Sequence, residues 1–314
     1  MNAPAIKHAP FHEGELRAQQ LAGFGTVHAA IRERMPEQHR SFFPLLQYAL
    51  LATVDEKGQP HASVVTGPPG FISSPSEDAL QIARTARWID QTGESLLPGQ
   101  PIGMLGIDLA TRRRNRANGI VSRVDDAGWH LQVRQSFGNC PKYIQLRELV
   151  DVPVADTVFI VAPQQLTRLD ERARSMISEA DTFFVASNVA TAEGGPDVSH
   201  KGGRPGFIRI DGDTLTIPDF TGNRYLNTLG NLLLDPRASL LFIDFANGDV
   251  LQLRGVTEIL WHAEETAQLQ GAERLWRFRV ETASRIAGAL PLRWRLVEMA
   301  PTTDRTGTWS GQAI

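Results

Sequence analysis

Two short stretches concentrate polar side chains in an otherwise apolar part of the sequence. Residues 197–207 read DVSHKGGRPGF and place Ser199, His200, Lys201 and Arg204 beside three glycines. Residues 219–231 read DFTGNRYLNTLGN and supply Thr221, Asn223, Arg224, Asn227, Thr228 and Asn231. The spacing predicts a helix over residues 224–234, with Arg224, Asn227, Thr228 and Asn231 at i, i+3, i+4 and i+7 on one face. A helix N-terminus offers unpaired N–H groups and partial positive charge, both suited to phosphate. Lys and Arg add charge, and Ser and Thr add directed hydrogen bonds. The plainer reading of the same residues is a solvated polar face with Asn223 as its N-cap. Spacing alone leaves both open.

Other chemistries find little support. A GxGxxG fingerprint and a GxxxxGK[ST] loop are both absent, so phosphate binding here needs another device. The eight histidines show no HExxH spacing, and the single cysteine, Cys140, excludes an intrachain disulfide and a cysteine cage for zinc. No Ser-His-Asp or paired-carboxylate arrangement can be argued from spacing. Residues 112–116 read RRRNR, either a solvated hairpin loop or a phosphate or nucleic-acid contact, the last a weak signal without interleaved aromatics. The net charge of −3 argues against a general nucleic-acid binder. The first residues lack the apolar run of a signal peptide, and no apolar stretch has the length of a membrane span. The expectation is a soluble cytoplasmic protein that binds neither nucleic acid nor membrane.

The elements that position these residues occur twice. Residues 67–72 read GPPGFI and residues 203–208 read GRPGFI, an offset of 136. Aligned without a gap, residues 60–119 and 196–255 share 16 identical pairs of 60, where composition alone gives roughly four. The pairs run from Pro60/Pro196 to Gly119/Gly255. Two homologous halves follow, a first domain over 36–150 and a second over 168–300, joined by residues 151–165 and preceded by a helical segment over 1–35. That segment is read as helical over 13–35 and closed by Pro36.

In the second half, residues 168–180 have helical spacing. Strands are expected at 183–189, 197–201, 207–210, 214–217, 238–245 and 250–260, with Asp211-Gly212 and Asn247-Gly248 as hairpin turns. The first half repeats this at 48–54, 61–66, 102–109, 120–124 and 129–134. Residues 141–146 could begin a short helix at Pro141. Short antiparallel strands with one inserted helix indicate a mainly β fold, a small barrel in each half.

The order of strand, glycine hairpin, DFTGNR, helix, DPRASLLFID and a strand carrying LRG resembles the pyridoxamine 5′-phosphate oxidase-like family of FMN-binding split β-barrels. The first half, with FHEGE, TRRRNRANG and QSFGNCPKYIQ, is similar to flavin-nucleotide-binding members of that family. The resemblance covers most of residues 11–300. It implies two tandem split barrels with FMN as cofactor. By position it makes Ser199, His200, Lys201, Asn223, Arg224, Thr228 and Asn231 FMN contacts, with Lys201 and Arg224 neutralising the phosphate. The chain departs from the pattern for pyridoxal phosphate synthesis: a single Arg224 beside Asn223 replaces the basic pair usual at the phosphate loop.

The implied function is a flavin-dependent oxidoreductase acting on a small-molecule substrate or electron donor. The alternatives are a non-catalytic flavin-binding or sensing module and a structural relative without FMN. Family barrels usually pair as homodimers with FMN at the interface, and two fused halves could imitate that pair. In the first half, Val65 faces Lys201, Arg87 faces Asn223, Trp88 faces Arg224 and Ser95 faces Asn231, while Thr85 and Thr92 persist. Ser63, Arg84 and Arg87 could form a different site there. Trp88, Arg134, Phe137 and Tyr143 are candidates to wall the flavin of the second half.

Overall fold

The computed structural model describes residues 10–90, 96–150, 162–191 and 194–309. After helices α1 (Glu13–Leu21) and α2 (Glu37–Arg40), the first half forms eight strands. They are β1 (Tyr48–Val54), β2 (Pro60–Thr66), β3 (Ile72–Ser76), β4 (Ala79–Ala83), β5 (Arg87–Ile89), β6 (Pro101–Asp108), β7 (Arg113–Asp125) and β8 (Gly128–Gly138). Strands β9 (Leu146–Val150) and β10 (Gln164–Leu166) precede helix α3 (Glu171–Ser178). The second half continues with β11 (Thr182–Ser187), β12 (Asp197–Gly202), β13 (Arg209–Asp211), β14 (Thr214–Phe220) and helix α4 (Asn227–Leu234). It closes with β15 (Arg237–Ile243), β16 (Val250–Leu260), β17 (Ala272–Ile286) and β18 (Arg293–Glu298). The fold is mainly β and of split-barrel type, as the sequence indicates.

The two sheets share one topology. The first has the order β3-β4-β8-β7-β6-β1-β2-β5 and the second β13-β14-β17-β16-β15-β11-β12, all antiparallel. Strand for strand these match, except that β5 in the first sheet and β10, which pairs with β17 in the second, have no counterpart strand. The β7–β8 ladder slips at Asn118/Gly119 and the β16–β17 ladder at Arg254/Gly255, which are the same positions at the 136-residue offset. A side chain could not be fitted at either bulge. A Cβ on Gly119 would lie 1.9 Å from the Gln132 carbonyl oxygen, and one on Gly255 2.0 Å from that of Arg279.

The strands YALLATV and TFFVAS are apolar on both faces because both faces are covered. In β1, Ala49 and Leu51 point into the first barrel, while Leu50 and Ala52 point at the other half. In β11, Phe183 and Val185 fill the second barrel, while Phe184 and Ala186 face back across the seam. Alternation along a strand requires this division. The halves meet reciprocally: β2 lies against β11 and β15, and β12 lies against β1 and β6.

Several expectations need correction. The helix expected over 13–35 ends at Leu21, where Gly23 takes a left-handed φ of 73°. No helix forms at Pro141; Leu146 instead opens β9, which pairs with β18. The RRRNR run is no loop, because Arg113 to Arg116 belong to β7 and pair with β6. The helix expected from Arg224 begins at Asn227. The connector's residues 151–161, with Thr92 and Ser95, lie outside the described residues; its last two residues enter β10, which pairs with β17.

Gly103 marks a close approach of backbones across the seam, between β6 and the start of β12. A Cβ there would lie 2.5 Å from the Pro196 carbonyl oxygen and 3.0 Å from the Asp197 Cα. Both are backbone atoms that cannot rotate away. Gly103→Ala is expected to destabilise the chain by about 1–3 kcal/mol through overpacking. An unchanged urea midpoint would count against this account of the seam.

Candidate functional site

A cleft opens beside β12, the edge strand of the second sheet. Its floor carries Ser199, His200, Lys201 and Gly202; its flank carries Asp219, Phe220, Asn223, Arg224, Asn227 and Thr228. The first half supplies Arg114 and Arg116 from β7, and Asn139, Cys140, Lys142 and Tyr143 from the chain that follows β8. Arg114 and Arg116 are two residues apart on one strand and so share a face. Phe24 reaches in from the segment after α1, its ring 5.0 Å from the Arg224 guanidinium.

The chain leaves regular geometry around this cleft. Tyr143, Arg224 and Leu226 have φ of 63°, 66° and 57°, left-handed values that are costly for residues other than glycine. All three line the cleft. The turns at Arg224 and Leu226 hold residues 223–226 away from the free edge of β12. In the first half the aligned residues do the opposite: Arg87–Ile89 pair with the edge of β2 as strand β5. The Trp88 indole then donates to Ser63 Oγ at 2.7 Å, filling the place that is open beside Ser199. Arg116, across the seam from Ser199, has Gln252 as its counterpart, which donates to the Ala62 carbonyl at 2.7 Å. The same chain path is therefore open in one half and closed in the other.

Six cations line the cleft, Arg114, Arg116, Lys142, Lys201, Arg224 and Arg274, against two carboxylates, Asp219 and Glu273. Some are already balanced. Arg116 donates to both oxygens of buried Asp197, at 2.8 and 2.9 Å, and to Ser199 Oγ. Lys201 bonds Asp219 at 2.9 Å, and Arg274 bonds the other oxygen of the same carboxylate. Burial pushes the Asp219 carboxyl up, but Lys201 and Arg274 more than reverse this and hold it below the usual range.

Arg114 differs. Its guanidinium donates only to the carbonyls of Cys140, at 2.6 and 3.1 Å, and His200, at 3.4 Å. Among the described residues it has no ion pair, and burial, helped by Arg116, lowers its pKa to about 9. Beside it, burial and the nearby charges of Arg114, Arg147 and Lys201 hold His200 well below its ordinary pKa, so the imidazole is neutral. His200 Nε2 and Asn139 Nδ2 are buried without a partner among the described residues. An underbalanced cation and the unpartnered Asn139 amide in one cleft fit an anionic, hydrogen-bonding ligand, while the His200 ring lies on the other face of β12, edge-on to Phe184 at 5.8 Å. Tyr143, Phe207 and Phe220 present aromatic surface in the same space.

The structure thus brings Ser199, His200, Lys201, Asn223, Arg224 and Thr228 to one cleft. It leaves Asn231 out: its side chain lies behind α4, bonded to His12 Nε2 at 2.8 Å and to Ser187 Oγ at 3.0 Å. Arg224 and Asn231 do not share a helix face, because Arg224 precedes the helix. Of the proposed wall residues only Tyr143 lines the cleft. Trp88 is bound to Ser63, Phe137 is buried with Arg116 over its ring at 5.3 Å, and Arg134 is exposed on β8. Ser63, Arg84 and Arg87 make no joint site; Arg84 pairs with Asp126 at the surface. Arg274 is not among the sequence candidates, and Arg114 and Arg116 lie in a run that sequence leaves open between a solvated loop and a phosphate contact. The run of arginines at 112–116 alternates along a strand, which was the available signal.

The N-terminal segment braces the cleft from behind. Helix α1 carries a capping box in which His12 and Glu15 satisfy each other's backbone N–H groups. It packs against α4 so closely that a Cβ on Gly14 would lie 2.3 Å from the Gly230 carbonyl oxygen. Glu15 accepts from Asn227, a cleft residue.

A family model described as pyridoxamine 5′-phosphate oxidase matches residues 169–290, which span the second sheet from α3 to β17. The second half of the chain is similar, over this range, to that family. Solved structures similar to it include HupZ of Group A Streptococcus, at 16% identity over 36% of this chain and 90% of that one, TM-score 0.30. A second is a Clostridium acetobutylicum protein related to general stress protein 26, of the pyridoxinephosphate oxidase family, at 15% identity over 40% and 92%, TM-score 0.28. A third is HutZ, the heme storage protein of Vibrio cholerae, at 18% identity over 38% and 94%, TM-score 0.26. No curated protein matches the sequence. Among the described residues, no helix is long and apolar enough to cross a membrane, and no cluster of three or more His, Cys, Asp or Glu could hold a metal.

Burial raises the Glu15 carboxyl from 4.5 to about 7, against the lowering effect of its bonds to the His12 backbone and Asn227. The folded chain therefore holds this proton where the unfolded chain has lost it. Its contribution to stability is complete below about pH 4.5 and is lost as pH rises through about 7. Glu15→Gln keeps the capping box and removes the titration. The difference in unfolding free energy between wild type and Glu15→Gln should shift by on the order of 3 kcal/mol between pH 4.5 and pH 8. Parallel stability–pH curves for the two proteins would show that Glu15 does not titrate in this window.

Proposed function

We propose that the chain binds FMN in this cleft and works as a flavin-dependent oxidoreductase on a small-molecule substrate or electron donor. The observation that carries the reading is Arg114, a partly buried guanidinium with carbonyl partners only, facing a cleft that also offers hydroxyl, amide and aromatic groups. Arg114, Lys201 and Arg224 would supply charge to the phosphate, and Ser199, Asn223 and Thr228 oriented hydrogen bonds. Tyr143, Phe207 and Phe220 would supply apolar surface to the ring. When bound, FMN supplies hydride and single-electron transfer.

The residues' own part is to bind, orient and exclude water. His200 turns its neutral ring to Phe184 on the seam face, and its backbone carbonyl accepts from Arg114. The first half acts as a wall, because its counterpart of the cleft is closed by Trp88. The seam inside the chain stands in for the interface between two barrels of a homodimer.

Purified protein mixed with FMN should quench the flavin's fluorescence to an end point of one flavin per chain. Arg114→Gln should weaken binding by about tenfold to a hundredfold, the range for losing one charge-assisted bond. Arg224→Ala, at the exposed mouth, should weaken it less. Failure of the wild type to take up FMN defeats the proposal, and two flavins per chain would defeat the wall. Rapid-mixing reduction by NADH or NADPH, with turnover to an acceptor, separates an oxidoreductase from a sensing module.

A further inference from the structure

A second pocket lies on the seam, sharing no residue with the cleft. It is bounded by the start of β1, the end of β6, β9 and Trp294 of β18. Two polar side-chain atoms in its wall have no partner among the described residues. Tyr48 Oη and Arg147 Nη1 are buried and have no hydrogen-bond partner among the described residues, and the residues are only 4% and 6% exposed. Left dry, such groups are costly.

The surroundings fix what these groups are. Arg147 gives its other terminal nitrogen to both oxygens of buried Asp181, at 2.7 and 2.6 Å, so its charge is already balanced. Its guanidinium lies 4.2 Å from the Phe245 ring centroid, which fixes its plane. The Tyr48 ring is held edge-on to Trp294 at 5.1 Å. Burial first, and the nearby Asp108 second, push the phenol's pKa well above its ordinary value, so it keeps its proton and donates. Asp108 and Glu148 also line the pocket. With Asp181 offsetting Arg147 and Arg295 pairing with Glu148 at 3.0 Å, the carboxylate left without an ion pair among the described residues is Asp108, so an incoming anion meets negative charge. The remaining wall is apolar, with Leu46, Ile107 and Leu109 buried.

We propose that this pocket is a second small-molecule site, for an uncharged molecule with a carbonyl-type acceptor oxygen on an apolar body. The oxygen takes hydrogen bonds from Tyr48 Oη and Arg147 Nη1, and the body lies against Leu46, Ile107 and Leu109. A ligand oxygen shared by these two donors, with the guanidinium charge offset by Asp181, would select a neutral molecule over a carboxylate. The site stands apart from the flavin reading, because it uses none of the cleft's residues.

The test uses benzamide, cyclohexanone and 2-pyrrolidone as neutral probes and benzoate as the charged control. Binding is followed by saturation-transfer NMR on the full chain, with FMN present and absent. At least one neutral probe should bind at millimolar concentration, tenfold or more better than benzoate, and FMN should not displace it. Tyr48→Phe should lose that binding tenfold or more. Its melting temperature without probe should equal or exceed the wild type, because the hydroxyl it removes has no partner in the fold. Leu109→Trp, which fills the pocket, serves as a second blocking variant. The proposal is overturned if no neutral probe binds, if benzoate binds equally well, or if Tyr48→Phe and Leu109→Trp both bind as wild type. A crystal structure grown with benzamide that shows only a water between Tyr48 and Arg147 would overturn it too.

Discussion

The Arg116–Asp197 pair is the joint on which the site depends. Arg116 belongs to the first half and Asp197 to the second, and both are buried. Through one guanidinium the first sheet reaches the edge strand of the second, the hydroxyl of Ser199 and, at 3.4 Å, Asn227 at the start of α4. Asn227 in turn bonds Glu15 of the N-terminal segment. Three parts of the chain that are far apart in sequence thereby agree on one geometry. A buried pair of this kind adds little net stability compared with an apolar filling, but removing one member leaves a buried charge, at a cost of several kcal/mol. Its effect is to fix position: β12 cannot slide without breaking it.

The duplicated fold was legible because its cause is local. Apolar runs such as YALLATV, glycine turns and Asn-Gly hairpins each dictate a strand or a turn within a few residues, and the 136-residue offset held down to a shared bulge. The candidate cleft was legible in part for the same reason, since Ser199, His200 and Lys201 sit on one predicted strand. What sequence did not show was which parts of the other half would meet them. RRRNR stayed open between a solvated loop and a phosphate contact because nothing in it reveals that Arg116 meets a carboxylate some 80 residues away. Asn231 was misplaced for a different reason. Helical spacing was extended back to Arg224, whereas the left-handed turns at Arg224 and Leu226 break the register before the helix begins. The long strand Ala272–Ile286 went unread because its charged residues at alternate positions mask its buried face.

Divergence between the halves follows from one local choice. Aligned segments leave the last strand of each hairpin and meet a free sheet edge. In the first half the segment adds to the edge as β5, and an indole satisfies Ser63. In the second half two left-handed residues lift it away, and the edge stays open to whatever the cleft receives. The difference costs backbone strain in the half that holds the polar set, and none in the half that does not. Strain of this kind persists where surrounding contacts over-determine it, and here α1, clamped on α4 through Gly14 and Gly230, supplies those contacts.

The covalent seam has a further consequence. A cleft assembled from two separate chains exists only in the fraction of molecules that have associated, so dilution empties it. Here the two faces are tied into one polypeptide, and their mutual concentration is set by the connecting chain rather than by how much protein is present. Selection can then act on each face independently, because a change in one copy is no longer imposed on its mate. The cleft of this chain is asymmetric in the way that such freedom allows.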